Sequence, residues 1–192
     1  MTDTVYVFAR APRLGTVKRR LAAGIGAVAA LRFYRATLAA TLRRLAPDRR
    51  FRTVLAITPD IARGPWRQGL PAVGQGRGDL GARMARAIAR HRRGGVAVVG
   101  ADIPELRAND IAAAFRLLRG KRAAFGPAED GGYWLVACGP RRPPHPFARV
   151  RWSGPHALAD TLANFSGRSV GFVRTLRDVD TAADLRALPR WP

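Results

Sequence analysis

Apolar positions along the chain follow two alternating periods. Short apolar-rich runs at 4–8 (TVYVF), 51–58 and 96–100 (VAVVG) predict strands, the last, with no polar alternation, a central strand covered on both faces. Between them, apolar residues recur at helical spacing. Leu31, Tyr34, Leu38, Leu42 and Leu45 share one stripe of a helix expected over 27–46, and that stripe reads as core. Asp79 is placed to cap a helix running to about residue 93. Further expectations are a helix over 109–118, short strands near 122–126 and 133–137, and an exposed proline-rich loop at 140–146. A helix over 155–164, a strand over 169–173 and a last helix over 181–188 complete the pattern. Strands alternating with helices predict an α/β fold, a Rossmann-like three-layer αβα sandwich on a mostly parallel mixed sheet. No internal repeat or low-complexity linker interrupts the order, so residues 1–192 are expected to form a single domain.

Composition narrows the function classes. The formal charge is +21, and all but two of the 34 basic residues are arginine. That balance suits an anionic partner such as a nucleotide or phosphosugar. The arginines are spread along the whole chain, and no nucleic-acid motif accompanies them, which speaks against nucleic acid. Cys138 is the single cysteine, so neither an internal disulfide nor a thiolate zinc site is available. With no signal-peptide pattern and no apolar run long enough to span a bilayer, a cytoplasmic protein without a membrane span is expected.

Four segments carry candidate chemistry. Asp102 follows the 96–100 strand, where open α/β sheets bind ligands, and a carboxylate there on a basic chain invites a divalent metal and a phosphate. Pro104 is expected to stop that strand. The segment 8–21 (FARAPRLGTVKRRL) runs from a strand through a Pro and Gly turn into a basic helix start, a plausible phosphate cradle built on Arg10, Lys18 and Arg19. In QGRGDLGARM, residues 75–84, three glycines allow close backbone approach, Gln75 can read a base edge through its amide, and Asp79 can cap the helix. In GPAEDGGYW, residues 126–134, a turn between two strands brings Asp130, and with it Glu129, toward the rim that carries Asp102. Two converging carboxylates suit Mg2+ or Mn2+, or a proton acceptor for an attacking hydroxyl. In RDVDTAADL, residues 177–185, Asp180 is read as part of a helix cap and Asp178 as a further candidate metal ligand. His91, His145 and His156 show no ligand spacing.

In this order and spacing the segments resemble a family of bacterial GT-A-like transferases. That family was formerly a domain of unknown function and is also named for arsenosugar biosynthesis or for radical-SAM and selenodomain association. The resemblance runs from Phe8 to Leu185 through FARAPRLGTVKRRL, QGRGDLGARM, GADIPEL, GPAEDGGYW, WSG and DVDTAADL. It implies a nucleotide-diphospho-sugar transferase fold, with Asp102 at the metal-binding position and Asp102 and Asp130 in catalytic roles. Nucleotide and diphosphate binding would fall to Arg10, Pro12, Arg13, Gly15, Lys18, Gln75, Gly76, Gly78 and Asp79, and sugar or acceptor binding to Gly131, Gly132 and Tyr133. Three positions depart from the family pattern: Arg10 for Lys, Arg19 for Thr, and Gly154 for the Thr of W-S-T.

The reading preferred on this resemblance is a metal-dependent glycosyltransferase that uses a nucleotide-diphospho-sugar donor and a small-molecule acceptor. The absence of a Gly-rich first loop points the same way. Two alternatives remain open: a nucleotidyltransferase joining a nucleoside triphosphate to a phosphorylated small molecule, and a non-catalytic basic nucleotide-binding protein.

Overall fold

The computed structural model describes residues 2–91, 93–165 and 169–188. Seven strands form one mixed sheet: β1 (Asp3–Arg10), β2 (Phe51–Thr58), β3 (Ala72–Gly74), β4 (Val96–Gly100), β5 (Ala123–Pro127), β6 (Tyr133–Cys138) and β7 (Val170–Phe172). Their order is β3-β2-β1-β4-β6-β5-β7. Pairings β1–β2, β1–β4, β2–β3 and β5–β7 are parallel, whereas β6 runs antiparallel to both β4 and β5. This is the mixed, mostly parallel sandwich the pattern predicts.

Helices α2 (Ala27–Leu45) and α4 (Ala108–Leu117) cover one face. There Leu38, Leu42, Leu45, Ile111 and Phe115 pack on Val5, Val7, Leu55, Ala97 and Val99. Helices α3 (Leu80–Ala89) and α5 (Ala157–Ala163) lie on the other face, where Met84 and Ile88 meet Tyr6, Val54, Val96 and Val98. Val96 to Val99 are all buried, so both faces of β4 are covered. Two shorter helices, α1 (Arg19–Ile25) and α6 (Ala182–Ala187), join around Leu21, Phe33 and Val179.

Several boundaries differ from expectation for local reasons. Strand β4 ends at Gly100, four residues before Pro104, so Pro104 is not what stops it. A Cβ at position 100 would lie 2.7 Å from Asp102 Oδ1, so the glycine leaves room for that carboxylate to fold back over the strand end. The three-residue edge strand β3 was not legible in the sequence, being too short to show a period. The 140–146 loop is not simply exposed: Pro143 and Pro146 are buried, and the Arg142 guanidinium donates to the His91 carbonyl.

The chain passes from β1 outward through β2 to β3, then returns to the opposite side of β1 as β4. A crevice therefore opens at the carboxyl ends of β1 and β4, where such reversals place ligand sites in open α/β sheets.

Candidate active site

Three carboxylates and one lysine meet at that crevice. Asp102 arrives from the end of β4. The stretch after β7 runs beside the end of β5, with Val173 N donating to Phe125 O (2.9 Å) and Leu176 N to Pro127 O (3.1 Å). It is extended, so its side chains alternate: Val179 is fully buried while Asp178 and Asp180 face the crevice. Ligand oxygens of Asp102, Asp178 and Asp180 lie within 4.8 Å of one another. Hard oxygen donors in such a group suit Mg2+ or Mn2+, so the residues present fit a divalent ion.

Lys18 stands against this cluster. Its Nζ donates to Asp102 Oδ2 and Asp180 Oδ1, each at 2.8 Å, and its side chain is 5% exposed. Burial alone would depress its pKa, but Asp102 and Asp180 together outweigh burial and raise it. The ammonium therefore stays charged. Lys18 takes a left-handed backbone conformation (φ 46°) just before α1, which ends the first loop and turns its side chain to the carboxylates. Arg20 adds a longer contact to Asp180 (3.2 Å). Asp178 hydrogen-bonds to neither cation; burial, then Asp102, Asp180 and Asp130, push its pKa up to about 6 against the opposing pull of Lys18.

Two cavities share this wall. One, of about 600 Å3, is lined by Arg10, Lys18, Arg19 and Arg20 together with Asp102 and Asp180. The other, of about 390 Å3, lies over β4 and β6 and contains Asp102, Asp130, Asp178 and Asp180 above an apolar floor that includes Met84, Tyr133 and Trp152. The turn carrying Asp130 is fixed locally, since Gly132 N donates to Asp130 Oδ1 (2.9 Å). Gly131 has φ +85° and lies against Pro155, and its carbonyl accepts from Leu158 N (3.1 Å). Tyr133 is hydrogen-bonded to Thr161 (3.3 Å), and burial raises the pKa of its phenol.

The remaining expected residues divide. Arg10 reaches the first-loop carbonyl of Thr16 (3.3 Å), while its backbone N–H and C=O are both held by the Tyr34 hydroxyl. Pro12 is buried, and Arg13 and Gly15 lie in the exposed turn before Lys18. Gln75 corrects its expected role: it is buried, and its amide donates to Ala9 O (3.2 Å) and Ala56 O (2.9 Å), tying β3 to the sheet instead of facing a base. Gly76 and Gly78 line a separate cavity of about 480 Å3 beside Asp60, whose carboxylate accepts from Gly76 N. Asp79 caps α3 by accepting from Ala82 N (2.8 Å). Glu129 turns away to pair with Arg177 (2.6 Å). Asp180 is not the cap of α6. Thr181 is, with Asp184 completing the capping box, and Asp180 is thereby free for Lys18. The i, i+2 spacing of Asp178 and Asp180 around an apolar residue was the available signal. Trp152, Met84 and Leu80 also line the second cavity, and nothing local in the sequence separates them from core residues.

A family model described as "Uncharacterized protein conserved in bacteria (DUF2064)" matches residues 41–154. The chain belongs to this family. The matched stretch of this DUF2064 protein holds Asp102, Asp130 and Trp152, while Lys18, Asp178 and Asp180 fall outside it. No curated protein matches the chain. Among solved structures it is similar to a protein of Desulfovibrio desulfuricans G20, provisionally described as a nucleotide-diphospho-sugar transferase. The two share 28% identity and a TM-score of 0.91 over 99% of this chain and 87% of that one. Similar in fold, at 10% identity and a TM-score of 0.60, is glucosyl-3-phosphoglycerate synthase of Mycobacterium tuberculosis in complex with Mn2+, uridine diphosphate and glucosyl-3-phosphoglycerate; 96% of this chain and 74% of that one align. The 4-diphosphocytidyl-2C-methyl-D-erythritol synthase of Anaerococcus prevotii DSM 20548 gives 11% identity and a TM-score of 0.62 over 96% and 93%. The fold is that of the nucleotide-diphospho-sugar transferases, and these neighbours are glycosyl and nucleotidyl transferases.

Proposed function

We propose that this DUF2064 protein is a metal-dependent glycosyltransferase that takes a nucleotide-diphospho-sugar donor. The observation that carries the reading is the convergence of Asp102, Asp178 and Asp180 beside the basic first loop, at the carboxyl ends of β1 and β4. Arg10, Arg19 and Arg20 bind the diphosphate in the basic cavity, where loop N–H groups and the α1 start add positive potential. Asp102, Asp178 and Asp180 would hold a divalent ion, which supplies charge neutralisation on the departing diphosphate. Lys18 holds two of these carboxylates in place. Asp130, which lines the second cavity, accepts the proton of the attacking hydroxyl. The solved neighbours support a nucleotide-dependent transferase, one of them having been crystallised with Mn2+ and a uridine nucleotide.

Thermal stabilisation by a panel of nucleotide-sugars and nucleoside triphosphates tests this, with and without Mn2+, in wild type and Asp102→Asn, at a salt concentration that screens the +21 surface. A Mn2+-dependent shift with one nucleotide-sugar, lost in the variant, is expected. The same pattern with a triphosphate alone would replace the reading with nucleotidyl transfer. Equal shifts from every anion, indifferent to metal and to mutation, would refute it.

A further inference from the structure

We infer that the second cavity takes an acceptor that carries no phosphate or carboxylate: an uncharged or cationic hydroxyl compound with an apolar face. This rests on the transferase reading for the word acceptor, but its chemistry comes from the cavity alone.

The chain carries 34 lysines and arginines against 13 acidic residues. A cavity lined at random would therefore be basic. Instead, no arginine, lysine or histidine lines this one among the described residues, while Asp102, Asp130, Asp178 and Asp180 all do. The adjoining cavity is the reverse, with Arg10, Lys18, Arg19 and Arg20 on its wall. Phe8, Ser153, Asp102 and Asp180 border both, so the basic and acidic compartments meet at one wall. Lys18 stands on the basic side of it.

The floor explains the apolar face. Phe8, Leu80, Met84, Tyr133 and Trp152 present carbon to the cavity. Two polar tips nearby are already engaged: the Tyr133 hydroxyl is bonded to Thr161, and Trp134 Nε1 donates to Arg174 O at 3.1 Å. Aromatic and thioether surface remains, which favours an apolar or cationic ligand face. With a divalent ion on Asp102, Asp178 and Asp180, and with Lys18 and Arg20 paired to that cluster from the basic side, Asp130 is the lining carboxylate left without an ion partner among the described residues. The cavity's volume of about 390 Å3 is that of a small-molecule site. A phosphate entering as the attacking group, as nucleotidyl transfer onto a phosphorylated compound requires, meets no basic side chain in this lining, and Asp130 repels it. An attacking hydroxyl meets a carboxylate, Asp130, suited to take its proton. The O–H bond then breaks as oxygen bonds to the sugar's anomeric carbon, and the nucleoside diphosphate leaves with the electron pair of the bond it gives up.

Three matched probes test the inference: 2-phenylethylamine, 2-phenylethanol and phenyl phosphate, titrated into the full chain at moderate salt while tryptophan fluorescence is followed. Gly154→Phe provides a plug. Gly154 lines the cavity, a Cβ there meets nothing within 4 Å, and its φ is outside the left-handed region, so the position admits a side chain without backbone strain. Gly154→Leu repeats the test with a smaller plug if the first variant unfolds. The amine and the alcohol are expected to bind saturably and to be displaced by the plug, with the amine at least about tenfold tighter than phenyl phosphate. Any phenyl phosphate binding is expected to survive the plug, because it belongs to the basic cavity. Plug-sensitive phenyl phosphate binding as tight as that of the amine, or no plug-sensitive binding of any probe, would overturn the inference. Loss of the Mn2+-dependent nucleotide-sugar shift would instead overturn the transferase reading, and it leaves the probe result standing.

Discussion

Replacing Gly131 with alanine tests how the Asp130 turn is held. Gly131 has φ +85°, and a Cβ on it would lie 2.4 Å from Pro155 O and 2.7 Å from Pro155 Cα. Both obstacles are backbone, so no side-chain rotation relieves the clash. The left-handed conformation costs a Cβ-bearing residue roughly 1–2 kcal/mol. Forcing the turn away from Pro155 adds about 1–3 kcal/mol, the usual range for an overpacked site. The sum is a loss of about 2–5 kcal/mol, and a 3 kcal/mol loss in a chain of this size lowers Tm by about 6–12 °C. The displaced turn also pulls on α5, since Leu158 N donates to the Gly131 carbonyl. Urea unfolding followed by circular dichroism measures the difference, with Gly154→Ala as the control because its Cβ meets nothing within 4 Å. The control is expected to change stability by less than about 0.5 kcal/mol. If Gly131→Ala costs no more than the control, the packing of this turn on Pro155 is wrong.

Three further outcomes follow from the same geometry. The Asp178 carboxyl titrates near 6 in the folded protein against an ordinary 3.8, so the folded state binds the proton more tightly and the group costs stability as pH rises through this interval. Asp178→Asn is expected to add about 1–2 kcal/mol at pH 7, discounted for solvent screening, and nothing at pH 3.5; equal gains at both pH values in urea titrations would exclude charge as the cause. Lys18→Met removes the ammonium from Asp102 and Asp180 and is expected to cost about 1–3 kcal/mol in EDTA, with much of the loss regained in Mn2+. An equal loss in both buffers would separate Lys18 from the cluster. Cys138 is fully buried and its thiol is pushed up to about 12 by that burial, so it should ignore a disulfide-exchange reagent in the native state and react fully in urea. Rapid native labelling would contradict its placement in the core.

Much of the fold was legible because burial in this sheet is nearly complete. Strands β2 and β4 have the expected bounds, and α2 ends one residue short of expectation, since apolar-rich runs and a continuous helical stripe leave few alternatives. Asp102 and Asp130 were legible as residues at strand ends and turns. Other site residues depend on contacts far apart in sequence. Gln75 looked like a ligand reader because an amide between glycines is locally unconstrained, yet carbonyls of β1 and β2 claim it. Asp180 looked like a cap because Asp before Thr and a helix so often is one; Lys18, 162 positions away, decides otherwise. Trp152 and Met84 are apolar residues among many, and only the cavity distinguishes them.

The contact between Lys18 and Asp180 also bears on when the site comes into being. Closing a loop of 162 residues costs a flexible chain about 4–5 kcal/mol in entropy, which a single ion pair does not repay. The pair therefore forms only after the sheet between its two ends has assembled. While a ribosome is still extruding β5 and β6, the first loop and Asp102 are already present, but two of the three clustered carboxylates are not. Nascent chains shorter than Asp180 should thus ignore Mn2+, and the onset of metal-dependent stabilisation along a series of lengths would time the completion of folding itself.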